Sequence, residues 1–192
     1  MEIRSELYST NEFTFAVAVI LSAQATDKKV NEVTPELFRV APTPEKMLKL
    51  GIDGIKKYIS QISFFNNKAK NIFALSEKLA EYKIDNTQWV FPKKYHNRDE
   101  LMKLSGIGQK TANVIMNVLW GASTIGVDTH VFRNAHRYGW VGADENERRA
   151  TYMTPVQKLC PPLVLARKWR TELTGRPNIA TEWGVATREW RY

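Results

Sequence analysis

The sequence predicts an all-α fold, and three observations carry that prediction. Apolar residues recur at helical spacing in one segment after another, and most of these segments open on a residue that caps a helix. No run of strand-like alternation appears in residues 1–138. Residues 12–24 are mostly apolar with a polar end at Ser22 and Gln24, the pattern of a helix buried on most sides whose last turn reaches a surface. Thr26 or Asp27 caps a second helix with Val30, Val33, Leu37 and Phe38 on one face, which Pro35 should bend or restart. Thr43 before Pro44 puts cap and first-turn proline in order, and Gly51 ends that short segment. Asp53 starts another, with Ile55, Tyr58, Ile59 and Ile62 on one face and Lys56 and Lys57 on the other. After a break at residues 63–67, Asn66 or Asn67 caps a helix carrying Ala69, Ile72, Phe73, Ala74 and Leu79 to about residue 81. Periodicity is lost over residues 82–97, which read as a loop around Pro92. Asp99 then caps a short helix through Lys103, and Gly106 and Gly108 form a hairpin. A strongly apolar helix follows over residues 109–120 and closes at Gly121; residues 122–127 look extended, and Asp128 stands where the next helix begins.

At 192 residues and 43% hydrophobic content the chain can bury a core of its own. The longest apolar run, residues 13–21, is interrupted only by Thr14 and is about half as long as a membrane-spanning helix requires. No export signal opens the chain, so the expected compartment is the cytoplasm, in association with the nucleoid. The single cysteine, Cys160, can form no internal disulfide and no multi-cysteine metal site, so no metal is expected. A net charge of +8 suits a polyanionic partner, since lysines and arginines set against phosphates release condensed counterions.

The chemistry concentrates in LSGIGQKTANVIMNVLWGASTIGVDTHVFR, residues 104–133. LSGIGQKT between a short and a longer helix has the form of a helix-hairpin-helix: two glycines allow a tight turn and a close approach to phosphate, with outward amides at Gly106, Ile107, Gly108, Gln109 and Thr111. Such a hairpin grips a backbone and reads no sequence; the plainer alternative is an ordinary helical corner. A lysine is a nucleophile only when neutral, and a helix N-terminus together with partial burial favours the neutral amine. Lys110 has the first by position, and the apolar helix behind it is expected to supply the second. Its alternative is a surface lysine touching phosphate. Asp128 reads either as a plain N-cap or as a carboxylate that steadies positive charge or relays a proton near Lys110, 18 residues before it.

Four separated runs, ILSAQATDKKVNEVTPELF, IKKYISQISFFNNKAKNI, LSGIGQKTANVIMN and VDTHVFR, together resemble the endonuclease III family of helix-hairpin-helix DNA glycosylases over residues 7–138. The resemblance implies a helical, barrel-like glycosylase domain at residues 12–138 behind a short segment 1–11. It also implies a base-excision repair enzyme that works as a monomer on double-stranded DNA, removes oxidised pyrimidines and nicks the strand at the abasic site. Lys110 would attack the anomeric carbon of the flipped nucleotide, displace the base and form a Schiff base, after which the 3′ phosphate is eliminated, with Asp128 assisting. By position Gln24 and Phe64 would fill the gap in the duplex; the family more often has leucine at the second, and without the resemblance they read as a helix-terminal amide and a core aromatic. The adenine mismatch branch of the superfamily typically lacks the lysine, so Lys110 argues against it.

The chain departs from the family in three places. Ser105 stands where a proline usually precedes the first glycine, the chain starts close to its first buried helix, and Cys160 replaces the four closely spaced cysteines that generally hold an iron-sulfur cluster. No cofactor is therefore expected. Residues 139–192 also change character: they hold 2 Lys and 7 Arg against 14 Lys and 5 Arg before them, with four of the six tryptophans. They read as an incomplete or altered second helical layer, or as a tail in a changed coding frame. In the second case the chain would be a DNA-binding remnant with impaired catalysis.

Overall fold

The computed structural model describes residues 5–82 and 88–138, and every regular element among them is helical. Helix α1, Glu12–Ser22, opens on a reciprocal cap in which Asn11 Oδ1 accepts the Thr14 amide at 2.9 Å and Thr14 Oγ1 accepts the Asn11 amide at 2.9 Å. Every residue from Phe13 to Leu21 is buried, so the long apolar run is the central rod of the core. No helix among the described residues is long and apolar enough to cross a membrane.

Helix α2, Asp27–Val40, is capped by Thr26, and it continues through Pro35 instead of restarting there. Magnitudes explain why: an interior proline costs about 3 kcal/mol, whereas each fully buried Val, Leu or Phe contributes about 1.5–3 kcal/mol. Val30, Val33, Leu37 and Phe38 are all buried. Helix α3, Pro44–Ile59, is two helical pieces joined across Gly51, whose φ of 71° and ψ of 168° break the spiral where the glycine was expected to end it.

Helix α4, Phe65–Ala80, starts before the asparagines expected to cap it; its N-cap is Phe64, in left-handed backbone and with no side-chain cap bond. The short helix α5, Arg98–Leu101, is capped by Asn97, whose Oδ1 accepts the Glu100 amide at 2.9 Å, and not by Asp99. Asn97 has the extended backbone a cap needs, which leaves Asp99 in the first turn beside the positive end of the helix. Helix α6, Gln109–Trp120, ends at Gly121 in left-handed backbone, and α7, Thr129–Arg137, begins on Asp128, both at the residues the sequence indicates.

The described part of the 82–97 connection is an irregular loop, as the sequence predicts, but it sends three aromatics into the core. Trp89, Phe91 and Tyr95 are 1%, 3% and 6% exposed, around a 3-10 turn at Lys93–Tyr95. Trp89 meets Phe13 edge to face, and Phe91 meets both Trp89 and Trp120 in the same way. Aromatics on irregular backbone leave no periodic trace, so the burial was invisible to a spacing argument. The tail at 139–192, including Cys160, lies outside the described residues.

Candidate active site

The hairpin is seated on two helices. Gly106 has a φ of 80°, and a Cβ built on it would stand 3.0 Å from Asn71 Cβ on α4 and 3.3 Å from Ile20 Cγ2 on α1. This turn needs glycine twice over, for its left-handed backbone and for the close approach. Ser105, in place of the family's proline, ties the turn down through its hydroxyl, 3.1 Å from Asn71 Oδ1. Ile107 does not offer the outward amide expected of it: the residue is buried, and its amide closes the turn onto the Leu104 carbonyl at 3.2 Å. Gly108 differs from Gly106. Its backbone is extended, and a Cβ there would meet nothing within 4 Å.

Gly108 is the N-cap of α6 and brings no capping side chain. The amides of Gln109, Lys110 and Thr111 therefore open a helix whose first-turn donors have no intrahelical partner, at its positive end. Open space in front of a glycine cap and unpaired amides are what an anion requires. Gln109 also carries a buried Nε2 without a partner.

Lys110 projects from this first turn into solvent, one turn before the buried Asn113 on the same stripe of the helix. Its side chain is 55% exposed, so the partial burial expected from the apolar helix is not present. Lys110 Nζ stands 3.5 Å from Asp128 Oδ2. The other oxygen, Oδ1, accepts the amides of His130 at 3.0 Å and Val131 at 2.9 Å and so caps α7. Burial pushes the Asp128 carboxyl upward, but the Val131 amide, the Lys110 ammonium and the His130 amide outweigh it and hold the group below its ordinary value. Asp128 is thus at once a cap and the partner of Lys110.

The return of the chain from the far end of α6 is what brings these two together. From Lys110 to Gly121 the helix rises about 16 Å, and the seven residues from Gly121 to Asp128 span at most about 25 Å when extended. The strand of chain can thus run the full length of the helix back to its start. Two asparagines one turn apart hold it there. Asn117 Nδ2 donates to the carbonyls of Ala122 at 2.9 Å and Thr124 at 3.1 Å, and Asn113 Nδ2 donates to Ile125 O at 2.9 Å. Thr124 Oγ1 answers by donating to Asn113 O at 2.7 Å. Gly126 then lies against α6, where an added Cβ would be 3.4 Å from Lys110 Cγ.

Gln24 and Phe64 stand on exposed turns of their own. Gln24 follows α1 with a φ of 55°, and Phe64 precedes α4 with a φ of 59°; they are the two non-glycine residues with positive φ among the described residues. Phe64 is 65% exposed, which rules out a core aromatic. Both turns lie near the hairpin: along the helices that seat it, Ile20 precedes Gln24 by about 6 Å of rise and Asn71 follows Phe64 by about 10 Å.

Sequence reasoning missed Asn113, Asn117 and Lys68. The two asparagines share a helix stripe with Lys110 at i+3 and i+7, a legible signal on an otherwise apolar helix. Lys68 is buried, and it falls on the stripe of Ile72, Leu75 and Leu79, where a lysine is out of place.

An all-helical domain with a phosphate-ready hairpin, a lysine at the start of the following helix and a carboxylate against it defines a class of DNA repair protein. A sequence model described as "HhH-GPD superfamily base excision DNA repair protein" matches residues 17–162, and the chain belongs to that family. Within it the resemblance is to endonuclease III. Endonuclease III of Rickettsia conorii (strain ATCC VR-613 / Malish 7) is 51% identical over 144 residues, which cover 75% of this chain and 65% of that protein. The chain thus spans just under two thirds of that relative's length. A solved non-covalent endonuclease III–DNA complex superposes with a TM-score of 0.70 at 35% identity, covering 84% of this chain and 71% of the other. A trapped endonuclease III–DNA covalent intermediate, an estranged-adenine complex, gives 0.70 at 36% identity with the same coverage.

Proposed function

We propose that the chain is a bifunctional DNA glycosylase and abasic-site lyase acting on double-stranded DNA that carries oxidised pyrimidines or abasic sites. The observation that carries this reading is the pairing of Lys110 Nζ with Asp128 Oδ2 at 3.5 Å, on the exposed side of a helix whose unpaired amides face outward. The hairpin amides hold a strand by its phosphates without regard to sequence. The target nucleotide leaves the stack, since neither its base nor its anomeric carbon can be reached inside a duplex.

Lys110 then supplies the nucleophile. Its amine must shed a proton before it attacks, and Asp128, kept ionised by the α7 amides, is the carboxylate within reach. A bond forms from Nζ to the anomeric carbon as the bond to the base breaks; the ring C–O bond at that carbon then opens, its oxygen taking up a proton, and the resulting Schiff base permits elimination of the 3′ phosphate. Gln24 and Phe64, on exposed turns, fill the space the nucleotide leaves. An iron-sulfur cluster takes four cysteine thiolates in this family, and the 192 residues hold one cysteine, so the residues present do not fit the group and no step runs through it. We read the protein as a monomer of the cytoplasm.

Borohydride trapping on a duplex with an abasic site or thymine glycol tests this. The full chain is expected to form a covalent adduct that Lys110→Ala does not form. Salt-sensitive binding with no adduct and no strand cleavage would instead identify a DNA-binding remnant.

A further inference from the structure

Left-handed backbone is costly for a residue with a Cβ and persists where its surroundings over-determine it. Gln24 and Phe64 both adopt it, on turns that lead to different helices, and Phe64 has no side-chain cap bond to explain it. The group that joins the two turns is Lys68. Its backbone amide donates to the Phe64 carbonyl at 3.1 Å, which ties it to the start of α4. Its side chain runs the other way: Nζ donates to the carbonyl of Leu21 at 2.9 Å and to that of Ala23 at 2.5 Å, the end of α1 immediately before Gln24.

This lysine is 6% exposed and on the buried stripe of α4, where an apolar residue would pack without having a charge to desolvate. Burial accordingly draws its pKa down. What it gains there is contact with the last carbonyls of α1, the negative end of that helix, supplied from a neighbouring helix instead of from α1 itself. The ammonium is thus an internal tie between two turns 40 residues apart in sequence, each of which presents a strained and exposed residue.

We propose that Lys68 is a positioning residue for duplex opening: its ammonium locks the Gln24 and Phe64 turns to each other, so that both side chains enter the gap as one rigid unit. This rests on the reading of Gln24 and Phe64 as the gap-filling pair. A rigid pair avoids the ordering cost that two mobile turns would meet on insertion.

The test uses the full chain and a duplex with a tetrahydrofuran abasic analogue opposite 2-aminopurine, whose fluorescence rises when that base is unstacked. Lys68→Met is expected to bind undamaged duplex within about twofold of wild type. Its preference for the abasic duplex should fall about tenfold, the scale of a lost bond to a charged group, and the fluorescence rise should fall with it. Lys68→Arg, which keeps a cation with several donors, should recover part of both. Gln24→Ala and Phe64→Ala are measured alongside. If neither dims the signal, the gap-filling reading fails and takes the proposal with it. If both dim it while Lys68→Met retains the full signal and preference, the tie alone is overturned. Should Lys68→Met melt below the assay temperature, Lys68→Gln, which keeps a donor for one carbonyl, is judged by the same readings.

Discussion

The two hairpin glycines stand two residues apart, and the same substitution should do opposite things to them. At Gly106 an alanine keeps a φ of 80°, at a cost of about 1–2 kcal/mol for left-handed backbone. Its Cβ also presses to 3.0 Å from Asn71 Cβ and 3.3 Å from Ile20 Cγ2, atoms close to the backbone of two packed helices, and such overpacking adds about 1–3 kcal/mol. The sum, about 3 kcal/mol, corresponds to a Tm lowered by roughly 6–12 °C for a chain of this size. At Gly108 the φ is −88° and a Cβ meets nothing within 4 Å, so the loss is that of a weaker helix cap, below about 1 kcal/mol. The new methyl group does stand in front of the unpaired amides of α6, where a phosphate would seat. Affinity for duplex, measured by fluorescence anisotropy at one fixed salt concentration, should drop about tenfold for Gly108→Ala, the scale of a lost charge-assisted hydrogen bond. For Gly106→Ala, at a temperature where it is folded, the affinity should change less than its Tm implies. The reasoning is refuted if Gly108→Ala binds as wild type does, or if Gly106→Ala melts where wild type melts.

Two further outcomes follow from the geometry around Asp128. Asn113→Leu removes the Nδ2 bond to Ile125 O but also an Oδ1 that is buried without a partner, so a loss of about 1 kcal/mol is set against a comparable relief. Its Tm should stay within a few degrees of wild type, while single-turnover cleavage at an abasic site slows on the order of 100-fold as Asp128 drifts from Lys110; a large Tm drop with an unchanged rate would sink this account. The Asp128 carboxyl titrates below its ordinary value of 3.8 in the folded chain, so its contribution to stability is complete above that value. The contribution is lost as pH falls through the lower folded pKa. Asp128→Asn, still a good cap, should therefore lose only this charge contribution, with a modestly lower Tm at neutral pH that converges on wild type below about pH 4, and should form the covalent adduct more slowly.

Most of the fold could be read because its signals are local. Helix α6 and the cap of α7 come out at the residues indicated, since Gly121 and Asp128 act on their own backbone. Where the prediction missed, the deciding contacts are distant in sequence. Phe64 rather than Asn66 or Asn67 starts α4 while Lys68 reaches across to α1, and no window of sequence around 64 contains residue 21. The burial of Trp89 and Phe91 within the loop could not be read locally, because it is set by Phe13 and Trp120, far away along the chain. In the site, Lys110 and Asp128 were legible as a pair only through the separated motifs, and the asparagines that hold the return segment were passed over as ordinary members of an apolar helix.

Asp128 shows why the bland and the chemical readings of a residue need not compete. Capping requires one oxygen with the right reach, and serine, threonine or asparagine would serve α7 as well as aspartate does. The carboxylate has a second oxygen, and once Oδ1 is fixed by two amides the direction of Oδ2 is fixed too, toward Lys110. The amides that orient the group also favour its ionised form, so the cap delivers a charge at a defined place without any further packing. What separates a structural aspartate from this one is the seven-residue return along α6, which sets the start of one helix beside the start of another. The choice of aspartate over its neutral alternatives therefore answers to Lys110, and the helix alone does not account for it.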